Sequence, residues 1–125
     1  MTLGPNQQKW VDALRSGQYK QARFVLHSQI LHNGENSYCC LGVACVIAEQ
    51  NGVIVRRKFD EQLIGGSLYD QPDVLDWLKM KTIVGTYGYT DAKSLALCND
   101  YEGMDFNQIA DEIERNADTL FEAAV

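Results

Sequence analysis

Histidine and proline are scarce in this chain, with two of each among 125 residues, and cysteine occurs only four times. Basic residues are outnumbered, 11 Lys and Arg against 17 Asp and Glu, for a formal net charge of −6. Each shortage excludes something. No apolar run approaches the ~20 residues that a bilayer-spanning helix needs. The first residues are polar, with no 7–15-residue apolar core after a basic start, so no secretory leader is expected. A chain short of cations is a poor general ligand for nucleic acid, which is held mainly through Lys and Arg on phosphate, and nucleic acid is not expected as a partner. Gly65-Gly66 and Gly85-Thr86-Tyr87-Gly88 lack the strand–loop–helix setting and the lysine of a phosphate loop, and read as turns.

The cysteines (Cys39, Cys40, Cys45, Cys98) do not make a disulfide framework. Three fall in one helical stretch, where neighbours do not reach disulfide geometry. Free thiols point to a reducing, cytoplasmic setting. Adjacent cysteines inside a helix also lack the two- to four-residue separation of zinc ligands, so neither metal nor other cofactor is expected.

What is present is organised around residues 37–52, Ser-Tyr-Cys-Cys-Leu-Gly-Val-Ala-Cys-Val-Ile-Ala-Glu-Gln-Asn-Gly. Leu41, Val43, Ala44, Val46, Ile47 and Ala48 cover nearly every side of a helix, and a helix apolar all round is a core helix. Ser37 is the expected N-cap, and Gly52 stands where a left-handed C-terminal residue belongs. Before it, Pro5 opens a helix over residues 5–15 that presents Trp10, Val11 and Leu14 and ends at Gly17. Residues 23–30 favour a strand through Phe24, Val25 and Leu26, followed by a turn at Asn33-Gly34. Val53-Ile54-Val55 begins a strand running through Arg56, Arg57 and Lys58 to Phe59. Asp70 is the expected cap of a short helix with Pro72 in its first turn and Val74, Leu75, Trp77 and Leu78 behind it. Residues 85–89 read as a loop or edge strand, Thr90 as the cap of a helix burying Ala92, Leu95 and Cys98, and residues 99–103 as a turn. The last helix has the fullest signal. Asp105 and Gln108 form a capping box, and Phe106, Ile109, Ala110, Ile113, Ala117, Leu120 and Phe121 recur at helical spacing. Together these elements predict a single α+β domain over residues 1–125, four to five helices on a small, mostly antiparallel sheet.

Candidate chemistry is sparse. Cys39 and Cys40 fall at the start of the central helix, where free amides and the helix dipole favour a thiolate. A nucleophilic cysteine needs a base, and only His27 and His32 are available. The bland alternative is that these thiols are small buried hydrophobes, as free cysteine often is. Asn99, Asp100, Glu102 and Asp105 gather oxygens without the register of a calcium loop, and suit a turn and a cap. Charge is uneven: residues 63–125 carry twelve acidic and four basic residues. Asp111, Glu112, Glu114 and Asp118 on the last helix therefore form a candidate face for a basic partner, with a solvated face as the plainer reading. Arg56, Arg57 and Lys58 are the one basic cluster and the second candidate binding face.

Trp10, Ala13-Leu14-Arg15-Ser16-Gly17, Tyr19, Tyr38-Cys39-Cys40-Leu41-Gly42-Val43 with Cys45, Trp77-Leu78, Asn99-Asp100, Phe106 and Ile109-Ala110-Asp111 together resemble a family of small uncharacterised proteins of bacteriophages and prophages. The Tyr-Cys-Cys-Leu-Gly segment is the most specific part. The family has no assigned activity, so the resemblance carries no catalytic residue across. It implies a phage or prophage origin and action inside a bacterial host; with the small size, the sparse candidate chemistry and the acidic C-terminal half, the expected function is a non-enzymatic accessory module that binds a host or phage protein. A binder of a nucleotide signal with an anti-defence role, using Arg23, Arg56, Arg57 and Lys58, and a thiol enzyme using Cys39 or Cys40 are the alternatives.

Overall fold

The computed structural model describes residues 2–29, 35–88 and 93–123. The expected turn at Asn33-Gly34, the cap at Thr90, Ala92 and the candidate base His32 lie outside the described residues.

The architecture is α+β. Helices α1 (Pro5–Arg15), α2 (Cys40–Gln50), α3 (Pro72–Leu78) and α5 (Phe106–Arg115) surround one core, with the shorter α4 (Leu95–Asp100) and α6 (Ala117–Leu120) between and after them. Strands β1 (Lys20–Gln21), β2 (His27–Ser28) and β3 (Ser37–Tyr38) form a small mixed sheet in the order β1-β3-β2. The β1–β3 pair is parallel and the β2–β3 pair antiparallel. Three isolated antiparallel bridges, Arg57 to Leu63, Thr86 to Ser94 and Met80 to Phe121, tie down the remaining extended chain.

Helix α2 sits at the centre, and Cys40, Val43, Ala44, Cys45 and Ala48 are fully buried. Its end follows the expectation from Gly52: that residue has φ +86°, and the amides of Gly52 and Val53 bond back to Glu49 and Ala48 in a Schellman motif. Its start does not. Ser37 lies in β3, and the cap is Cys39, whose sulfur accepts from the Gly42 amide at 3.4 Å. Ser37 is committed to the sheet, its hydroxyl donating to the Ser28 carbonyl, so the helix begins two residues later than a hydroxyl cap would set it. Gly42 is needed for a packing reason. A Cβ there would lie 1.8 Å from the Leu26 carbonyl oxygen, so α2 and the chain entering β2 touch backbone to backbone.

Two expected strands are replaced. Of the expected strand over 23–30, the described residues 23–29 contribute only β2, because Phe24 takes φ +69° and turns the chain. Residues 53–59 contribute only the bridge at Arg57. The backbone groups of Arg56 are held from two sides, the carbonyl accepting from the Ile64 amide at 3.0 Å and both carbonyl and amide bonding the buried Gln71 side chain. Its oxygen accepts from the Arg56 amide at 2.8 Å, and its amide donates to the carbonyls of Arg56 and Ile64. Gln71, not Asp70, is also the N-cap of α3; Asp70 closes a preceding 3₁₀ turn capped by Ser67. Helix α4 is capped by Ser94 and continues through Asn99 and Asp100, so the expected turn there begins only at Tyr101. Helix α5 keeps the expected capping box, with Gln108 N–H donating to Asp105 at 2.8 Å and Asp105 N–H to Gln108 at 2.9 Å.

Candidate functional site

The thiols are sealed. Cys40 and Cys98 have no exposed surface and Cys39 only 5%. Burial pushes the Cys39 thiol up to about 12, against the pull of the amides at the helix start. Burial also raises Cys40 and Cys45, and holds Cys98 up at about 11. The dipole argument for a thiolate therefore fails on magnitude: loss of water outweighs the few free amides that stabilise the anion. Cys40 donates to the Leu95 carbonyl, and Cys98 lies 3.2 Å from the Tyr87 hydroxyl.

His27 is equally committed. Its Nδ1 accepts from the Leu63 amide at 3.0 Å and its Nε2 faces Asn36 Oδ1 at 2.9 Å. A backbone N–H only donates, so Nδ1 is the acceptor in this contact and Nε2 is the nitrogen turned to Asn36. The ring also stacks on Tyr38, with centroids 4.7 Å apart. Both nitrogens are thus engaged by Leu63 and Asn36 and neither by a thiol.

The residue that local reasoning missed is Asn99. It is fully buried and makes four hydrogen bonds. Its oxygen accepts from the Cys40 amide and from Gln21 Nε2, and its nitrogen donates to the Ala22 carbonyl and to Asp100 Oδ1. It thus joins the start of α2, β1 and the end of α4. The same Asp100 oxygen accepts from the Phe24 amide at 2.9 Å and so holds Phe24 in its left-handed conformation. The held ring points outward: Phe24 is 56% and Tyr101 73% exposed, and the two meet edge to face at 5.2 Å.

The charged candidates are partly neutralised. Arg15 of α1 reaches both Asp111, at 2.8 Å, and Glu114, and these carboxylates hold its guanidinium pKa above the usual value. Glu112 pairs with Arg115 at 2.6 Å and accepts from Asn116. The Asp118 carbonyl accepts from Lys81. Arg57 is locked by Glu49 on two oxygens and donates to the Glu61 carbonyl, which leaves Arg56 and Lys58 as the exposed members of the basic cluster.

Two concavities lie on the surface of the described residues. A shallow depression of about 480 Å³ lies beside Tyr19 and Tyr38, rimmed by Gln18, Asn36 and the Lys20–Glu35 ion pair. A cleft of about 310 Å³ lies between the start of α1 and the end of α3. Among the described residues no group of three or more His, Cys, Asp or Glu is placed to hold a metal ion. No helix among them is long and apolar enough to cross a membrane.

A protein-family model described as "Domain of unknown function (DUF8296)" matches residues 6–117. No curated protein and no solved structure matches the chain.

Proposed function

Since a match over that span makes the chain a member of the DUF8296 family, we propose that it is a non-enzymatic binding module of phage or prophage origin that engages a host or phage protein in the bacterial cytoplasm. The observation that carries this reading is Phe24. A non-glycine residue in the left-handed region costs about 1–2 kcal/mol, and here the cost keeps an apolar ring in water beside Tyr101. Strain maintained at an exposed aromatic pair, with Asp100 as its clamp, marks a surface built to be met. The burial of the four thiols and the commitment of both His27 nitrogens support a role without covalent chemistry. Four reduced cysteines favour a reducing compartment. The phage origin rests on the Tyr-Cys-Cys-Leu-Gly resemblance.

A small-molecule reading draws on the depression beside Tyr19 and Tyr38. A nucleotide signal would need several convergent cations, and Arg57, the best braced of them, is committed to Glu49. The protein-binding reading is therefore preferred.

The test is copurification from bacterial host cells at matched salt, using the tagged parent, a Phe24→Ser/Tyr101→Ser variant and an Asp111→Asn/Glu114→Gln/Asp118→Asn variant. The expected result is a stoichiometric protein retained by the parent and the acidic-face variant and lost from the aromatic variant. An identical set from the parent and the aromatic variant removes the support for this surface.

A further inference from the structure

His27 joins two parts of the fold that the backbone does not. Its ring is 6% exposed, and its Nδ1 accepts at 3.0 Å from the amide of Leu63, 36 residues away and itself buried. The hairpin over residues 57–63 explains why that amide turns to β2. Arg57 and Leu63 face each other as an antiparallel bridge. The bonds on either side of the bridge run from the Lys58 amide to the Gln62 carbonyl and from the Ile64 amide to the Arg56 carbonyl. The Leu63 amide therefore points out of the hairpin, and His27 supplies its acceptor.

A backbone N–H can only donate, so this contact exists only while Nδ1 carries no proton. In an imidazolium both ring nitrogens are donors, and two N–H groups would then face each other in a buried contact. The rest of the ring gives no way out. Nε2 already lies 2.9 Å from Asn36 Oδ1, and Tyr38 of β3 stacks on the ring face. The charges of Arg57 and Glu49 both act on Tyr38, and these two side chains are bonded to each other. On the hairpin, Glu61 lies near Arg57, Asp60 accepts from the Gln62 amide, and Lys58 is exposed. Beside Asn36, Glu35 is paired with Lys20 of β1.

We propose that His27 is an acid switch: a proton taken up at Nδ1 breaks the Leu63 bond and loosens the 57–63 hairpin, with Phe59 on it, from the sheet. The proton comes from solvent and returns to it, so the switch is reversible. The docked hairpin excludes a proton that the loosened one accepts. Docking is therefore favoured at the upper end of the range in which histidine changes charge, about pH 8 to 5, and weakened as pH falls through it. The Gln71 bonds to Arg56 and Ile64 hold both arms and do not titrate, so the hairpin opens at Leu63 while its base stays attached.

Amide hydrogen exchange by NMR on the purified protein, from about pH 7.5 to 5, tests this, with the His27 ring resonances followed in the same samples. The protection factor of the Leu63 amide is expected to fall in step with ring protonation, by up to about tenfold per pH unit for one proton bound, while amides within α2 keep theirs. His27→Asn offers an oxygen acceptor that does not titrate, and in it the Leu63 amide is expected to stay equally protected across the range. Should that variant not fold, the parent's ring and Leu63 signals decide the matter by themselves. A Leu63 amide as well protected at the acid end as at the neutral end overturns the proposal. Loss shared equally by Leu63 and α2 overturns it too, since that is general acid unfolding, and so does a decline that persists in His27→Asn.

Discussion

Gly42 has Leu26's carbonyl oxygen where its own side chain would be, which gives the glycine of Tyr-Cys-Cys-Leu-Gly a physical meaning. Gly42→Ala forces backbone against backbone and is expected to cost at least about 3 kcal/mol, the upper end for overpacked cores; urea unfolding measures it. Phe24 gives the opposite kind of prediction. At φ +69° glycine is less strained than alanine, so Phe24→Gly is expected to be about 1 kcal/mol more stable than Phe24→Ala. Equal stabilities would remove the strain from the account. The thiols make a third. In the folded chain Cys39 keeps its proton up to about 12 and Cys98 up to about 11, against an ordinary 9.0. The native state therefore holds protons that the unfolded chain has already released. Stability is fully present below about pH 9 and is expected to fall as pH rises through the window from 9 to 12. Urea midpoints from pH 8 to 11 check this, and Cys39→Ala is expected to flatten the decline. A level midpoint across that range contradicts it.

Elements whose signals are local were legible in the sequence. Helix α1 begins at Pro5 and ends at Arg15 as its proline and Gly17 imply, and α5 starts at the Asp105–Gln108 box. Asp105→Ala is expected to cost about 1 kcal/mol, as lost caps commonly do, read as a drop in the urea midpoint. What the sequence did not reveal depends on side chains reaching far along the chain. Gln71 reaches the backbone of Arg56 from 15 residues away, a contact that no local pattern in the sequence announces. Asn99 binds the Cys40 amide across 59 residues, and no local pattern distinguishes that role from a turn. Residues 99–103 look like a turn because Asn and Asp are common there, but both side chains here serve other elements. The candidate site was hidden for the same reason: Phe24 reads as a strand residue until the Asp100 carboxylate is placed on its amide. For Asn99→Ala the prediction is a large loss, since it leaves the buried Cys40 amide and Ala22 carbonyl without partners, each worth about 1–3 kcal/mol.

Among the described residues, the four thiols and His27 lie inside, and several large aromatic side chains lie outside. Helix α2 and its cap bring three thiols into the core, while Phe24, Phe59, Tyr69 and Tyr101 project into solvent. The acidic surplus of the C-terminal half contributes little to folding, because Arg15 and Arg115 already answer Asp111, Glu114 and Glu112, and partly exposed pairs are worth about 0–1 kcal/mol. The claim that the thiols are sealed away from the surface is tested most directly by thiol reactivity at pH 7, following an aromatic disulfide reagent with the native and the urea-unfolded protein. All four cysteines are expected to react promptly when unfolded, and in the native protein to react far more slowly than a free thiol in solution. A native Cys39 or Cys40 reacting at or above the rate of a free thiol would contradict the burial of these thiols and favour the thiol-enzyme alternative.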